Sequence, residues 1–344
     1  MVRGIKAVKL EDLAKKLKVS KVTVSKALRN HPDISEETKV RVRELADKYG
    51  YVPNFMAKNL SARKSNIIGL VIPKIAHFFF GSIIESIYNT AFENNYETVI
   101  TVSQESAERE KKHLQSLLSM RVDGLIISIT EQTKDCSMFE KIIESKIPLV
   151  FIDRVPPIKN VPSVTVNDKG GAFSAVNYFI KNGITEIGHV GGYSHINIGK
   201  ARMDGFIDAM QKSKVPINPN WVVEGGFGEE DGYKGFKTIF NSGSLPKAIF
   251  AITYPVAIGI YEAATELGIK IPQDIQITCF GNNTFKHTVP SVFNFVDQPT
   301  LELGKHAVQL LLDIINNTYT VPRNIELNTR LLIKGKESLS GLVA

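Results

Sequence analysis

The side chains best suited to chemistry near the start of the chain follow Val19. If residues 21–29 form a helix, Val24, Ala27 and Leu28 make its buried stripe. The side chains left to face outward are Lys21, Val22, Thr23, Ser25 and Lys26. A lysine can donate to the acceptor pair on guanine, a valine can contact a thymine methyl group, and hydroxyls suit phosphate oxygens. This combination indicates contact with a nucleic acid.

The spacing around this segment predicts two short helices joined by a tight turn. Apolar residues recur at helical spacing from Leu10 to Leu17, and Lys18 and Val19 form the turn. Ser20 is placed to cap the second helix, because its hydroxyl oxygen can accept an N–H of the first turn. A helix-turn-helix of this kind presents its second helix to a major groove, although a helical hairpin inside any globular protein has the same pattern.

The charge distribution favours the DNA-binding interpretation. Residues 1–64 hold 16 of the 42 Lys and Arg residues but only 7 of the 35 Asp and Glu residues, so their net charge is +9 and that of the remainder is −2. Scattered lysines usually form a solvated face. Their concentration beside a recognition-type helix fits phosphate contacts better.

Three motifs in the first 54 residues resemble a known family. They are Val-Ser-Lys-Val-Thr-Val-Ser-Lys-Ala-Leu-Arg-Asn at residues 19–30, Asp-Ile-Ser-Glu-Glu-Thr at residues 33–38, where Ser35 predicts a capped third helix, and Tyr-Val-Pro-Asn at residues 51–54. Together they resemble the DNA-binding headpiece of LacI/GalR-type transcription regulators, and the resemblance covers nearly the whole chain.

The resemblance implies which side chains contact DNA. Lys21, Val22 and Lys26 match the family's base-reading positions, and Thr23 and Ser25 match positions that contact phosphate or base. The family usually has Arg where this chain has Lys26, so the bidentate contact is lost and weaker guanine discrimination is expected there. The remaining residues expected at the DNA are Ser20, Asn30, Asn54, Ala57 and Leu60.

Residues 51–65 are too short to form a stable helix without a partner. Their composition alone would favour a plain linker. In the resembled family the matching segment is a hinge helix that orders when two copies meet in the minor groove, where Leu60 would wedge between base steps. We expect a headpiece at residues 1–50, a hinge at 51–65 and an effector-binding and dimerisation domain at 66–344.

From Asn66 onward short apolar runs alternate with helical stretches, which predicts parallel sheets with right-handed crossovers in two α/β lobes. The expected strands are Ile67–Ile72, Thr98–Val102, Gly124–Ser128, Pro148–Ile152, Ser163–Val166, Ile187–Val190, Ala248–Ile252 and Ile275–Phe280. The resemblance implies a periplasmic-binding-protein-like core whose first lobe takes residues 66–167 and a return segment after Gln298. The fold class is thus a small all-α headpiece followed by a two-lobed α/β core.

Polar and aromatic residues gather where strand ends would meet a ligand in the cleft. Phe79 and Phe80 match the family's ring-stacking pair, although both could be core residues at the start of a helix. Arg202 matches the family's hydroxyl-gripping arginine, although it could form a surface ion pair. Asp153 ends a strand, and Phe227 follows two glycines. Aromatic faces with hydrogen-bonding groups suit a sugar or a nucleobase.

The pocket departs from the family at three positions. Asn282 and Asn283 stand where many members have two aspartates, and Tyr254 replaces a frequent aspartate. Asn removes negative charge, and Arg202, Arg154 and the candidate His195 add groups that can carry positive charge. The pocket is therefore expected to be less acidic, and an anionic sugar is one candidate effector.

The sequence contains no nucleotide-binding glycine fingerprint, serine elbow or paired metal histidines, so we expect neither an enzyme nor a cofactor. Cys136 and Cys279 are far apart, and the chain opens with no leader, which favours a reduced cytoplasm and no membrane. The expectation is a homodimeric repressor of a near-palindromic operator DNA, controlled by a small-molecule effector. A sugar is favoured over a nucleobase, and a solute-binding protein is the remaining alternative.

Overall fold

The computed structural model describes residues 8–51, 64–75, 78–281, 292–317 and 323–333. The chain divides into two compact units, Met1–Ser65 and Asn66–Ala344. Most of the expected hinge lies outside the described residues, and so do Asn54, Ala57 and Leu60. The domain boundaries and the hinge therefore stay predictions.

The first unit contains three helices, α1 (Leu10–Leu17), α2 (Lys21–Leu28) and α3 (Glu36–Lys48). Leu13, Val24, Ala27 and Val42 are fully buried and hold the three helices around one small core. The expected cap of α3 is present, because Ser35 Oγ accepts a hydrogen bond from the Thr38 N–H at 3.4 Å.

The second unit alternates strands and helices. In chain order its elements are β1 (Ile67–Ile72), α4 (Phe78–Glu93), β2 (Glu97–Val102), α5 (Ala107–Ser119), β3 (Gly124–Ile127), α6 (Ser137–Glu144), β4 (Leu149–Ile152), β5 (Ser163–Val166), α7 (Asp168–Lys181), β6 (Ile187–Gly191), α8 (Asn197–Lys212), β7 (Val222–Glu224), α9 (Glu229–Asn241), β8 (Ala248–Ala251), α10 (Tyr254–Glu266), β9 (Gln276–Phe280), β10 (Asn294–Asp297), α11 (Thr300–Ile315), β11 (Asn324–Leu327) and β12 (Arg330–Leu332).

The strands form two six-stranded sheets, one in each lobe. The first has the order β11-β5-β4-β3-β1-β2 and the second β12-β10-β9-β8-β6-β7. Every described pairing is parallel except that of β10 with β12. The expected two-lobed parallel α/β core is confirmed.

Each sheet is covered by helices on both faces, as parallel sheets require. In the first lobe, Ile68, Leu70 and Ile72 pack with residues of α4 and α11. Ile67 and Val71, the alternate residues of β1, pack with residues of α5 and α6. The apolar run of β1 is therefore continuous because both of its faces are buried.

The return of the chain after Gln298 differs from the expectation that it stays in the first lobe. Helix α11 and β11 do belong to that lobe, but β12 pairs with β10 in the second sheet, with Phe295 opposite Leu332. Strands β7, β10, β11 and β12 were not predicted because each has three or four residues and includes a charged side chain that interrupts the apolar run. None of the described helices combines the length and apolar character that a bilayer crossing needs.

Candidate functional site

Helix α2 begins at a cap that its own sequence supplies. Ser20 has an extended backbone, and its Oγ accepts a hydrogen bond from the Thr23 N–H at 3.0 Å. Just before it, Lys18 ends α1 in the left-handed conformation with φ 55°. Because one helix ends and the next begins within three residues, α2 is held at a sharp turn with its first residues exposed.

The outer face of α2 contains the side chains expected there. Lys21 and Val22 are exposed, Val22 by 63%, while Thr23, Ser25 and Lys26 are partly exposed. Asn30, just beyond the helix, is exposed and accepts a hydrogen bond from Arg43 Nη2 at 3.1 Å. These groups can approach a groove without rearrangement of the headpiece core.

Both lysines of this face already contact carboxylates of the headpiece. Lys21 pairs with Glu11 of α1, and Lys26 Nζ lies 2.8 Å from Asp33 Oδ2. Hydrogen bonds from the two lysines lower the pKa of the Glu11 and Asp33 carboxyls. Exposed pairs of this kind are weak, so phosphates or base edges of DNA can replace the carboxylates.

A cavity of about 150 Å³ lies between the two lobes of the second unit. The carboxyl ends of β4, β8, β9 and β10 and the first residues of α4, α9 and α10 supply its walls. Ligands of open parallel sheets bind at such strand ends. The expected effector residues that line it are Phe79, Phe80, Asp153, Arg202, Phe227 and Tyr254.

Asp153 places an unpaired carboxylate in this cavity. It follows β4 directly, has φ 57°, and is only 5% exposed. Its carboxylate accepts no hydrogen bond from any residue that the structure describes. Burial raises the pKa of the Asp153 carboxyl to about 6, although Arg154 and Arg202 act in the opposite direction.

Arg202 is a buried ion-pair residue as well as a lining residue. Its Nε and Nη2 lie 2.8 Å and 2.7 Å from Asp168 Oδ1, and its Nη1 donates to the Ile252 carbonyl oxygen at 2.7 Å. The guanidinium carbon lies 3.7 Å from the centre of the Phe280 ring. Most of its hydrogen-bonding capacity is therefore used by the protein.

Arg154 forms a second ion pair of the same kind. Its Nη1 donates to both carboxylate oxygens of Glu105 at 3.0 Å, and its guanidinium carbon lies 4.4 Å from the centre of the Phe227 ring. Glu105 and Asp168 do not line the cavity. Because each arginine has its own counter-ion, neither adds an uncompensated positive charge to the cavity wall.

Aromatic rings form much of the remaining wall. Phe79 and Phe80 meet edge to face with ring centres 5.1 Å apart, and Phe80 is also part of the core of the first lobe. Tyr254 is the first residue of α10, whose cap Thr253 accepts a hydrogen bond from the Val256 N–H at 3.3 Å. Flat apolar faces beside polar groups suit a ring-shaped ligand.

Of the expected effector residues that the structure describes, His195 is not in the lining. His195 is exposed, stacks on Tyr193, and donates from Nε2 to the Glu131 carbonyl oxygen at 2.8 Å, which joins the second lobe to the first. Asn282 and Asn283 lie outside the described residues.

Sequence reasoning considered Arg154 only for its charge and did not assign four other polar residues that line the cavity, namely Glu229, Thr253, Gln298 and Thr300. Thr253 and Gln298 follow β8 and β10, so the rule that ligands bind at strand ends could have found them. It did not find Gln298 because β10, with the sequence Asn-Phe-Val-Asp, was not recognised as a strand.

The lobes are also joined at the crossing between β4 and α8. Asn197 Nδ2 donates to the Asp153 carbonyl oxygen at 2.9 Å, and Asn197 Oδ1 accepts from the Val155 N–H at 3.0 Å. The backbone beside the Asp153 carboxylate is thereby tied to the second lobe. A ligand that moves Asp153 would act directly on the contact between lobes.

The chain resembles characterised regulators along nearly its whole length. Residues 9–54 match the family model of bacterial regulatory proteins of the lacI family, and residues 176–335 match that of a periplasmic binding protein-like domain. The HTH-type transcriptional repressor PurR of Pasteurella multocida is 30% identical over 325 residues, which are 94% of this chain and 97% of that protein. The probable HTH-type transcriptional repressor ExuR of Bacillus subtilis is 30% identical over 331 residues, 95% and 97% of the two chains.

The fold is similar to that of a solved transcription regulator. The Lac repressor dimer bound to operator and the anti-inducer ONPF superposes with a TM-score of 0.82 at 22% identity, over 96% of this chain and 98% of that one. Headpiece and two-lobed core together define a DNA-binding transcription regulator and not an enzyme. The chain belongs to the lacI family of bacterial regulatory proteins, which confirms the family predicted from the headpiece motifs.

Proposed function

We propose that the protein represses transcription as a homodimer that binds a near-palindromic operator and is controlled by a small-molecule effector in the interlobe cavity. The observation that carries the proposal is the exposed, capped helix α2 within residues 1–64, whose net charge is +9. A regulator of this kind acts at the chromosome, so we place it in the cytoplasm. Relatives named as transcriptional repressors support the direction of regulation.

In this proposal α2 enters the major groove. Lys21, Val22 and Lys26 meet base edges, and the hydroxyls of Ser20, Thr23 and Ser25 meet phosphates or bases. Asn30 would contact the backbone of the DNA. Asn54, Ala57 and Leu60 would act in the minor groove, where an apolar wedge can open a base step.

An exposed apolar patch supports the homodimer. Tyr88 and Phe92 of α4 are 47% and 64% exposed and lie one helical turn apart, and Ile100 of the adjacent strand β2 is 36% exposed. Strand β2 is the edge of its sheet. An exposed edge strand beside aromatic side chains is a surface that another chain usually covers. We call these three residues the dimer patch.

The cavity fits an effector of the size of a sugar. Aromatic faces from Phe79, Phe227 and Tyr254 surround polar groups such as Asp153 and Thr253. The structure of a relative in fold, the CelR regulator, is described as a complex with cellobiose, with a TM-score of 0.73 at 21% identity. An effector with different affinities for two arrangements of the lobes would shift the balance between them when it binds. That shift would in turn change the hinge.

The experiment for the DNA-binding part uses the full chain. Duplexes selected from a random pool are compared with scrambled duplexes by fluorescence anisotropy. Lys26→Ala should lower affinity for the selected duplex more than for scrambled DNA, because a base contact is lost. Lys48→Ala, on α3 and outside the recognition helix, is the matched control and should affect both duplexes alike.

Two outcomes would contradict the proposal. Failure of the chain to select any sequence would exclude operator recognition. Equal losses on both duplexes for Lys26→Ala would remove that residue from the base-reading set and leave it a phosphate contact.

A further inference from the structure

The charges around the interlobe cavity are unevenly compensated. Each of the two lining arginines has a buried carboxylate of its own behind the wall, Asp168 for Arg202 and Glu105 for Arg154. The rings of Phe280 and Phe227 further cover the two guanidinium groups. An anionic ligand would therefore meet cations whose charge is already balanced.

The two lining carboxylates have no ion-pair partner of their own among the described residues, although the nearby Arg154 and Arg202 act to lower the pKa of Asp153. Neither Asp153 nor Glu229 forms an ion pair with any side chain that the structure describes. Asp153 has the greater need of a partner, because it is only 5% exposed whereas Glu229 is exposed to solvent. A buried carboxylate without a partner is costly, and a cation placed beside it recovers most of that cost.

The aromatic lining of the cavity also favours a positively charged ligand. Arg154 lies on the ring of Phe227 and Arg202 on the ring of Phe280. Among the residues that the structure describes, no cation lies on the rings of two other lining residues, Phe79 and Tyr254. The face of an aromatic ring is negative and attracts cations, more strongly when water is excluded.

From this arrangement we infer that the effector is an amine-bearing, sugar-sized ring whose ammonium group sits against the Asp153 carboxylate. The inference rests on the proposed role of the cavity as the effector site. An ammonium group supplies both the hydrogen bond and the charge that Asp153 lacks, while a hydroxyl supplies only the hydrogen bond. A uronate or sugar phosphate would add a third negative charge beside Asp153 and Glu229.

The test is isothermal titration of the full chain with matched sugars. The panel contains glucosamine, galactosamine and mannosamine, the parent hexose of each, the N-acetyl derivative of each, and glucuronate and galacturonate. At least one hexosamine should bind roughly tenfold or more tightly than its parent and its N-acetyl derivative, because hydrogen bonds to charged groups are the stronger ones. The uronates should not bind.

Asp153→Asn should remove the preference for the amine and leave the parent hexose bound about as before. Asn keeps the shape of the side chain and tolerates the left-handed backbone at this position. Asp204→Asn, the same change at a partly exposed residue of α8 that pairs with Lys200 outside the cavity, is the matched control and should keep the preference. Affinity for the hexosamine should also fall as the pH is lowered through about 6, where Asp153 becomes protonated.

The outcomes separate this inference from the proposed function. If a neutral hexose or a uronate binds at least as well as every hexosamine, the inference is wrong and the cavity remains an effector site. If the preference for the amine survives in Asp153→Asn, the ammonium group does not sit at Asp153. If no sugar of any class binds, both the inference and the sugar-binding role of the cavity fall.

Discussion

At the scale of single residues, the lysines proposed to read DNA are held by carboxylates in the free protein. Lys26 Nζ contacts Asp33 Oδ2 at 2.8 Å, and Lys21 pairs with Glu11. These contacts order two long side chains on the outer face of α2. They also compete with DNA, because each must be replaced when the lysine reaches a phosphate or a base.

We expect Asp33→Asn to raise affinity for DNA by about two- to fivefold, the scale of an exposed ion pair. The gain should be larger on selected than on scrambled duplexes, since the base contact proposed for Lys26 forms only on the selected sequence. Fluorescence anisotropy over a range of salt concentrations measures it. Asp47→Asn, which makes the same change of charge on α3, is the control, and an equal gain for both variants would show that only net charge matters.

The buried carboxyl of Asp153 predicts a pH dependence of stability. Its pKa is about 6 in the folded chain against an ordinary value of 3.8, so the folded state binds the proton more tightly and loses stability as the pH rises from about 4 to about 6. The shift corresponds to about 3 kcal/mol.

In the absence of ligand, Asp153→Asn should therefore be more stable than the natural chain at pH 7 and about equally stable near pH 4. Urea unfolding at several pH values measures the difference. The stability difference between Asp204→Asn and the natural chain should not change between pH 4 and pH 7. A constant difference between Asp153→Asn and the natural chain across this range would mean that the carboxyl is not desolvated.

At the scale of elements, the cavity depends on the close crossing of α9 and α10. A methyl group added at Gly259 would lie 1.8 Å from the Glu229 carbonyl oxygen, and one added at Gly232 would lie 2.0 Å from that of Val256. Only glycine allows the two backbones to approach so closely. The same crossing places Glu229 and Tyr254 in the cavity wall.

Gly259→Ala should destabilise the core by about 3 kcal/mol or more, because neither backbone can move aside without a shift of a whole helix. Effector affinity should fall with it. Gly81→Ala on α4, where an added methyl group meets nothing within 4 Å, is the control and should be neutral or stabilising. Thermal unfolding compares the two, and equal stability would show that the helices can separate at little cost.

At the scale of the whole molecule, the dimer patch predicts that assembly and operator binding are coupled. Phe92→Glu should yield a monomer with normal thermal stability, because the side chain is 64% exposed in the single chain. Operator affinity should fall by about a hundredfold or more, since two linked headpieces bind far more tightly than one. Sedimentation equilibrium and anisotropy measure the two effects.

The control for this prediction is Ile143→Glu. Ile143 is 38% exposed on α6, which packs on the opposite face of the first sheet from α4. It should remain dimeric. If Phe92→Glu also remains dimeric and binds the operator normally, the dimer patch is not the interface.

Local patterns in the sequence determined the headpiece and the class of the core. The cap at Ser20, the apolar stripe of Val24 and Ala27 and the runs of β1 and β5 each express an interaction between residues that are near one another in the chain. Such signals need no knowledge of distant contacts. For the same reason the family could be recognised from residues 19–54.

Only the tertiary structure decided how the cavity is charged and how the chain ends. Arg202 and Asp168 are 34 residues apart, and Arg154 and Glu105 are 49 apart, so no local pattern shows that the two arginines are neutralised. Strand β12 returns to the second sheet because β10 offers it an edge, although β10 was not recognised in the sequence because it begins and ends with polar residues. Electrostatic balance and strand pairing depend on distances through space, and these exist only once the chain has folded.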